Sequence, residues 1–163
     1  FGKKEAGAVG MLFTGIVFVL LFFFKVRNPW LYVVITFFAN FGMYYFNMVV
    51  WAYITDVIDY QEVKTGNRED GTVYGVYSFA RKIGQALAGG LSGFALSAIG
   101  YVSEPGAVQT DAVRVGIYNI ATIFPGICYV IVALILIFAY PLSRDVVVKN
   151  GEILASRRKE KAV

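Results

Sequence analysis

The chemistry available to this sequence centres on Lys82, a cation inside an apolar, helix-like segment running from about Gly71 to Tyr101. At a rise of about 1.5 Å per residue, Lys82 lies about 15 Å from the polar start of that segment, near the middle of a hydrocarbon layer about 30 Å thick. A cation at that depth is costly unless it is paired or hydrated, so such residues mark ion or substrate pathways. No Asp or Glu falls inside any other apolar segment. The expectation is that water reaches Lys82 and that its anionic partner lies on protein beyond this chain.

Lys82 does not stand alone in its register. Gly75, Ser78, Lys82, Gln85, Gly89 and Ser92 follow one another at spacings of three and four, which places them on one stripe of a helix. Val76, Phe79, Ile83, Leu87, Leu91 and Phe94 take the other sides. In lipid, a small and polar stripe must face other helices or a water-filled cavity. Gly89-x-x-x-Gly93 alone fits plain helix packing; Lys82 and Gln85 favour the cavity. Arg81, about 100° around the helix from Lys82, can snorkel or take a separate partner.

A second charged set precedes that segment. Asp56 and Asp59, three residues apart, share a helix face, and Lys64 and Arg68 follow them. Such a set is either a solvated surface cluster, worth little, or a group of ion pairs that latches one end of a moving bundle. No nucleophile–base arrangement and no Gly-Lys-Ser/Thr phosphate loop is present, and the absence of histidine excludes a His-based metal site or triad within this chain. No enzyme class fits, and no cofactor is implied.

The elements that must position these residues are apolar runs in a chain that is 58% hydrophobic and 17% aromatic. Spans are expected at about 6–24, 29–56, 71–101 and 114–141, each long enough to cross a hydrocarbon core. An all-α, polytopic membrane fold with four transmembrane helices in residues 1–145 follows, with 146–163 as a charged tail. A soluble bundle would need polar helices to cover these runs, and the sequence has none. Pro29 suits the first turn of its helix, Pro125 predicts a kink in the fourth span, and Asn40 and Asn47 share a face that either lines a cavity or, the preferred reading, makes bonds between helices. Cys128, the only cysteine, is expected to be a buried packing residue.

The net charge of +4 is distributed by topology and is no nucleic-acid footprint. Lys3, Lys4, Lys64, Arg68, Arg144, Lys149, Arg157, Arg158, Lys159 and Lys161 fall on the N-terminus, the loop expected over Asp56–Asp70, and the tail. The other two loops hold only Lys25, Arg27 and Arg114. Both termini and the central loop are therefore expected in the cytoplasm, with the tail against anionic lipid. Phe1–Glu5 reads as the end of a cytoplasmic loop.

The segment Asp56-Val-Ile-Asp-Tyr-Gln-Glu-Val-Lys-Thr-Gly-Asn-Arg-Glu-Asp-Gly resembles the glycoside–pentoside–hexuronide:cation symporters, a family of major-facilitator transporters that includes the melibiose and glucuronide permeases. The resemblance continues through Tyr74, Ser78-Phe79, Arg81-Lys82-Ile83-Gly84-Gln85-Ala86 and Gly100-Tyr101, and Phe46–Ala52 is most similar to the glucuronide-permease branch. It implies that the chain holds the last four of twelve helices, arranged as two halves around a central sugar site with alternating access. It implies a sugar or glycoside substrate, possession of an N-terminal half that holds most of the coupling Na+ or H+, and a bacterial inner membrane as the location. By the same resemblance Lys82 lies near cation-binding carboxylates of that N-terminal half. Ser78 and Gln85 line the sugar cavity, and Asp56, Asp59 and Arg68 belong to a cytoplasmic gating network. Tyr77 replaces a family glutamine and Asn47 a tryptophan, so the sugar is not given by the resemblance. A self-contained four-span protein that oligomerises, as a small exporter or a structural subunit, is the alternative; it predicts an acidic residue in the first span, where none occurs.

Overall fold

The computed structural model describes residues 2–161, and every regular element among them is helical. Positions 1 and 162–163, at the ends of the expected N-terminal segment and tail, lie outside the described residues. The order is α1 (Lys3–Phe24), α2 (Pro29–Thr65), α3 (Asp70–Ala98), α4 (Asp111–Leu134), a π-helical stretch Ile135–Ala139, and α5 (Arg144–Lys161). α1, α2 and the α4–π unit are long and apolar enough to cross a membrane. α3 has the length, at 29 residues, but its Gly- and Ser-rich stripe and the Arg81–Lys82 pair leave it less apolar than the other three.

Local chemistry explains the boundaries. The Asn28 side chain accepts from the N–H groups of Trp30 and Leu31, and Pro29 supplies the first turn of α2. α2 then runs 37 residues, about 55 Å and well beyond a hydrocarbon core. The loop expected over Asp56–Asp70 is thereby corrected: Asp56 to Thr65 remain helical, because Ile54 and Ile58 stay buried and α5 packs along this end. Gly66, at φ 79°, closes α2 with its N–H on Glu62 O. α4 continues as helix through Pro125, and departure from α geometry comes later, at Ile135–Ala139. The tail, from Arg144, is helical.

The core is a three-helix unit in which α1 packs against both α4 and α2. Glycine permits the close approach. A Cβ on Gly42 would collide with the Gly10 carbonyl oxygen, and one on Gly15 would lie 2.8 Å from Val130 Cγ2. At the first crossing Thr14, fully buried, shares its hydroxyl between Gly10 O at 3.0 Å and Ala39 O at 2.7 Å. At the far end Tyr118 Oη donates to Leu21 O (2.7 Å) and accepts from Val26 N–H (3.1 Å), joining α4 to the α1–α2 turn.

Three expectations for side chains are corrected. Asn40 and Asn47 donate to Thr36 O and Met43 O of their own helix, one turn back, and make no interhelical bond among the described residues. Cys128 is exposed, because the buried face of α4 runs through Val113, Thr122, Gly126 and Ala133.

Candidate functional site

The 3.6-residue period of α3 does bring Gly75, Ser78, Lys82, Gln85, Gly89 and Ser92 onto one stripe. None of the residues of α3 is buried, and a Cβ on Gly75, Gly84, Gly89, Gly90 or Gly93 would meet nothing within 4 Å. Lys82 forms no ion pair among the described residues. The Ser92 hydroxyl bonds back to Ala88 O at 2.7 Å. The stripe is thus formed but unaccompanied: Lys82, Ser78 and Gln85 share a helix face that no other described element closes into a site.

α3 is held at its root. Trp51 of α2 stacks on Tyr74, with ring centroids 5.8 Å apart and 18° between planes, and meets Tyr77 edge-on at 5.8 Å. Below these rings, Arg68 in the short α2–α3 turn binds three carboxylates. Its Nη1 lies 2.8 Å from Asp59 and 2.9 Å from Glu62, and its Nε lies 2.9 Å from Asp70, the first residue of α3. These hydrogen bonds, that to Asp59 first, hold the guanidinium pKa above its ordinary value, so Arg68 stays charged at any working pH. The clamp adds charge to that ring contact in fastening the start of α3 to the end of α2.

Asp56 does not join that clamp. It turns toward α1, where Lys3 Nζ approaches to 2.7 Å and the carboxylate is only 8% exposed. Tyr53 Oη donates to Lys3 O beside it, at 2.7 Å. Asp56 and Asp59 thus sit on one side of α2 but serve two separate ties. Tyr140, just past the π-helical stretch, has its hydroxyl buried without a partner among the described residues.

Sequence reasoning missed Lys3, Glu62 and the tail. Glu62 stands three residues after Asp59 and could have been found by helical spacing. The role of Arg157 could not: its guanidinium reaches back to Glu62 O (3.4 Å) and Val63 O (3.2 Å), carbonyls of the last turn of α2. Arg158 adds a longer contact to Glu62 at 3.7 Å.

Comparison with known proteins matches residues 1–144 to the family model described as MFS/sugar transport protein. A putative sulfoquinovose importer of Escherichia coli (strain K12) is 39% identical over 143 residues, covering 88% of this chain and 30% of the relative. An uncharacterized symporter, YjmB, of Bacillus subtilis (strain 168) is 35% identical, with the same shares covered. A glucuronide carrier protein homolog of E. coli is 33% identical over 87% of this chain and 30% of its own length. The chain therefore spans about a third of the length of the curated relatives it matches. No solved structure matches it.

Proposed function

The chain belongs to the MFS/sugar transport protein family, and on that premise we propose that it is the C-terminal part of a cation-coupled symporter. In this reading it carries a sugar or glycoside across a bacterial inner membrane by alternating access, with Na+ or H+ as the coupling ion. α1 to α4 are the last four of twelve spans. α3 crosses the membrane with its stripe toward the rest of the transporter, and both termini and the α2–α3 turn lie in the cytoplasm.

The observation that carries this reading is Lys82: a charged residue on an otherwise apolar-flanked helix, with no carboxylate partner among the described residues. In the full transporter it is a fixed positive charge facing carboxylates of the N-terminal half. When the coupling cation leaves, Lys82 pairs with those carboxylates and the open sugar site weakens; when a cation binds, the pair is released. Ser78 and Gln85, on the same stripe, supply hydroxyl and amide groups to a sugar. The Arg68 clamp on Asp59, Glu62 and Asp70, with Lys3–Asp56 beside it, closes the cytoplasmic end and opens in the opposite state. Coupling is electrostatic throughout, and no bond of the substrate changes.

The test is Lys82→Gln in the full-length transporter, reconstituted in vesicles. Sulfoquinovose and a glucuronide, named for two relatives, are the first substrates to assay. Gradient-driven accumulation should be abolished while exchange without a gradient persists. Undiminished accumulation would sink the role assigned to Lys82.

A further inference from the structure

Lys25, Arg27 and Arg114 are the only cations at the end of the bundle where α1 turns into α2 and α4 begins. Far apart in sequence, all three line one open cavity of about 680 Å³, together with Val26, Asp111, Val115 and Tyr118. The single carboxylate there, Asp111, lies 3.8 Å from Arg114 and is almost fully exposed, so it neutralises at most one of the three charges. Cations are scarce at this end and could have been spread around it. Their convergence is what calls for an anion.

The cavity wall is built to hold its shape. Tyr118 fixes the residue between the two turn cations, through Val26 N–H, and ties the same turn to Leu21 O. Lys25 takes φ 45°, the only positive φ outside glycine among the described residues, which aims its side chain from a left-handed C-cap. On the helix ends that flank the Lys25–Asn28 turn, Phe23, Phe24 and Trp30 expose 70%, 75% and 79% of their surfaces. Exposed rings next to a basic turn mark the level at which hydrocarbon gives way to headgroups.

We propose that this cavity binds the phosphodiester headgroup of an anionic membrane lipid. Lys25, Arg27 and Arg114 take the phosphate, and Phe23, Phe24 and Trp30 lie along the glycerol and the upper acyl chain. A soluble oxyanion shares the charge but has no use for the apolar rim, which is why the lipid is the source chosen.

The experiment uses the full-length transporter in detergent, with phosphatidylglycerol, phosphatidylcholine or inorganic phosphate added separately. Native mass spectrometry counts bound lipid and thermal unfolding reports stabilisation. The wild type should retain phosphatidylglycerol in preference to phosphatidylcholine. The triple variant Lys25→Gln, Arg27→Gln, Arg114→Gln should lose at least about tenfold in that retention. If the triple variant does not fold, Arg114→Glu alone, at an exposed side chain, carries the same comparison and should lose retention several-fold. Equal retention by the variants and the wild type overturns the proposal. So does inorganic phosphate that stabilises the protein as well as phosphatidylglycerol does, since that would make the site one for free oxyanions.

Discussion

Replacing Gly42 by alanine asks whether the α1–α2 crossing is as tight as its geometry says. The added Cβ would overlap the Gly10 carbonyl oxygen, come within 2.6 Å of the carbonyl carbon and within 2.7 Å of Thr14 Oγ1. Two of these atoms are backbone, so no rotamer change relieves the clash and the helices must separate. A shift of roughly 1 Å carries the Thr14–Ala39 bond, now 2.7 Å, out of hydrogen-bonding range. Overpacking costs about 1–3 kcal/mol and the interhelical bond about 0.6–1.7 kcal/mol, while alanine returns up to about 1 kcal/mol of helix propensity. The net expectation is a loss of about 1–4 kcal/mol. Thermal unfolding of the full-length protein in detergent measures it, with Gly10→Ala as a second probe of the same contact. A Gly42→Ala protein as stable as the wild type would refute the close crossing, and with it the argument that glycine sets the α1–α2 distance.

Two further outcomes follow from the cytoplasmic ties. Arg68→Gln leaves Asp59, Glu62 and Asp70 without their shared cation; with pairs this exposed the loss is about 1–2 kcal/mol. Amide exchange around Gly66–Tyr74 should then speed up roughly 5- to 30-fold at low salt and less at high salt, and unchanged exchange would remove the clamp from the account. Arg157→Ala withdraws the guanidinium from Glu62 O and Val63 O. Its favourable interaction with the end of α2 is worth about 0.3–1 kcal/mol, so trypsin should release the tail faster from this variant, and equal rates would show that Arg157 does not hold α5.

What the sequence made legible was whatever depended on periodicity and charge placement. The stripe of α3, the start of α2 at Pro29 and the helical character of every long apolar run are local properties, and each is found where spacing put it. The extent of α2 was hidden because Asp56, Asp59 and Glu62 look like a loop when judged by hydropathy. They are helical because Ile54 and Ile58 are buried on the same element and the tail lies against it. Asn40 and Asn47 were misjudged for a related reason: an amide in an apolar helix satisfies itself on the preceding turn when no partner helix offers an acceptor. The split between Asp56 and Asp59 required knowing that Lys3 arrives beside the first and Arg68 beside the second and Glu62.

The glycines separate two kinds of helix in this chain, and the separation bears on the site. Gly10, Gly15, Gly42 and Gly126 each stand where another backbone or side chain comes within contact distance, so the propensity each forfeits, about 1 kcal/mol, is offset by packing. Gly75, Gly84, Gly89, Gly90 and Gly93 forfeit as much on α3 and touch nothing among the described residues. Of these, Gly75, Gly89 and Gly93 share the side of Lys82, and uncompensated glycines there, on a helix anchored mainly by Trp51 and Arg68 at one end, are poorly explained by an independent four-helix unit. They are well explained if backbone from further protein, or a substrate, comes close to that stripe. The same approach that compensates the glycines would bring Lys82 its missing anion, so one contact surface answers both the steric and the electrostatic deficit of α3.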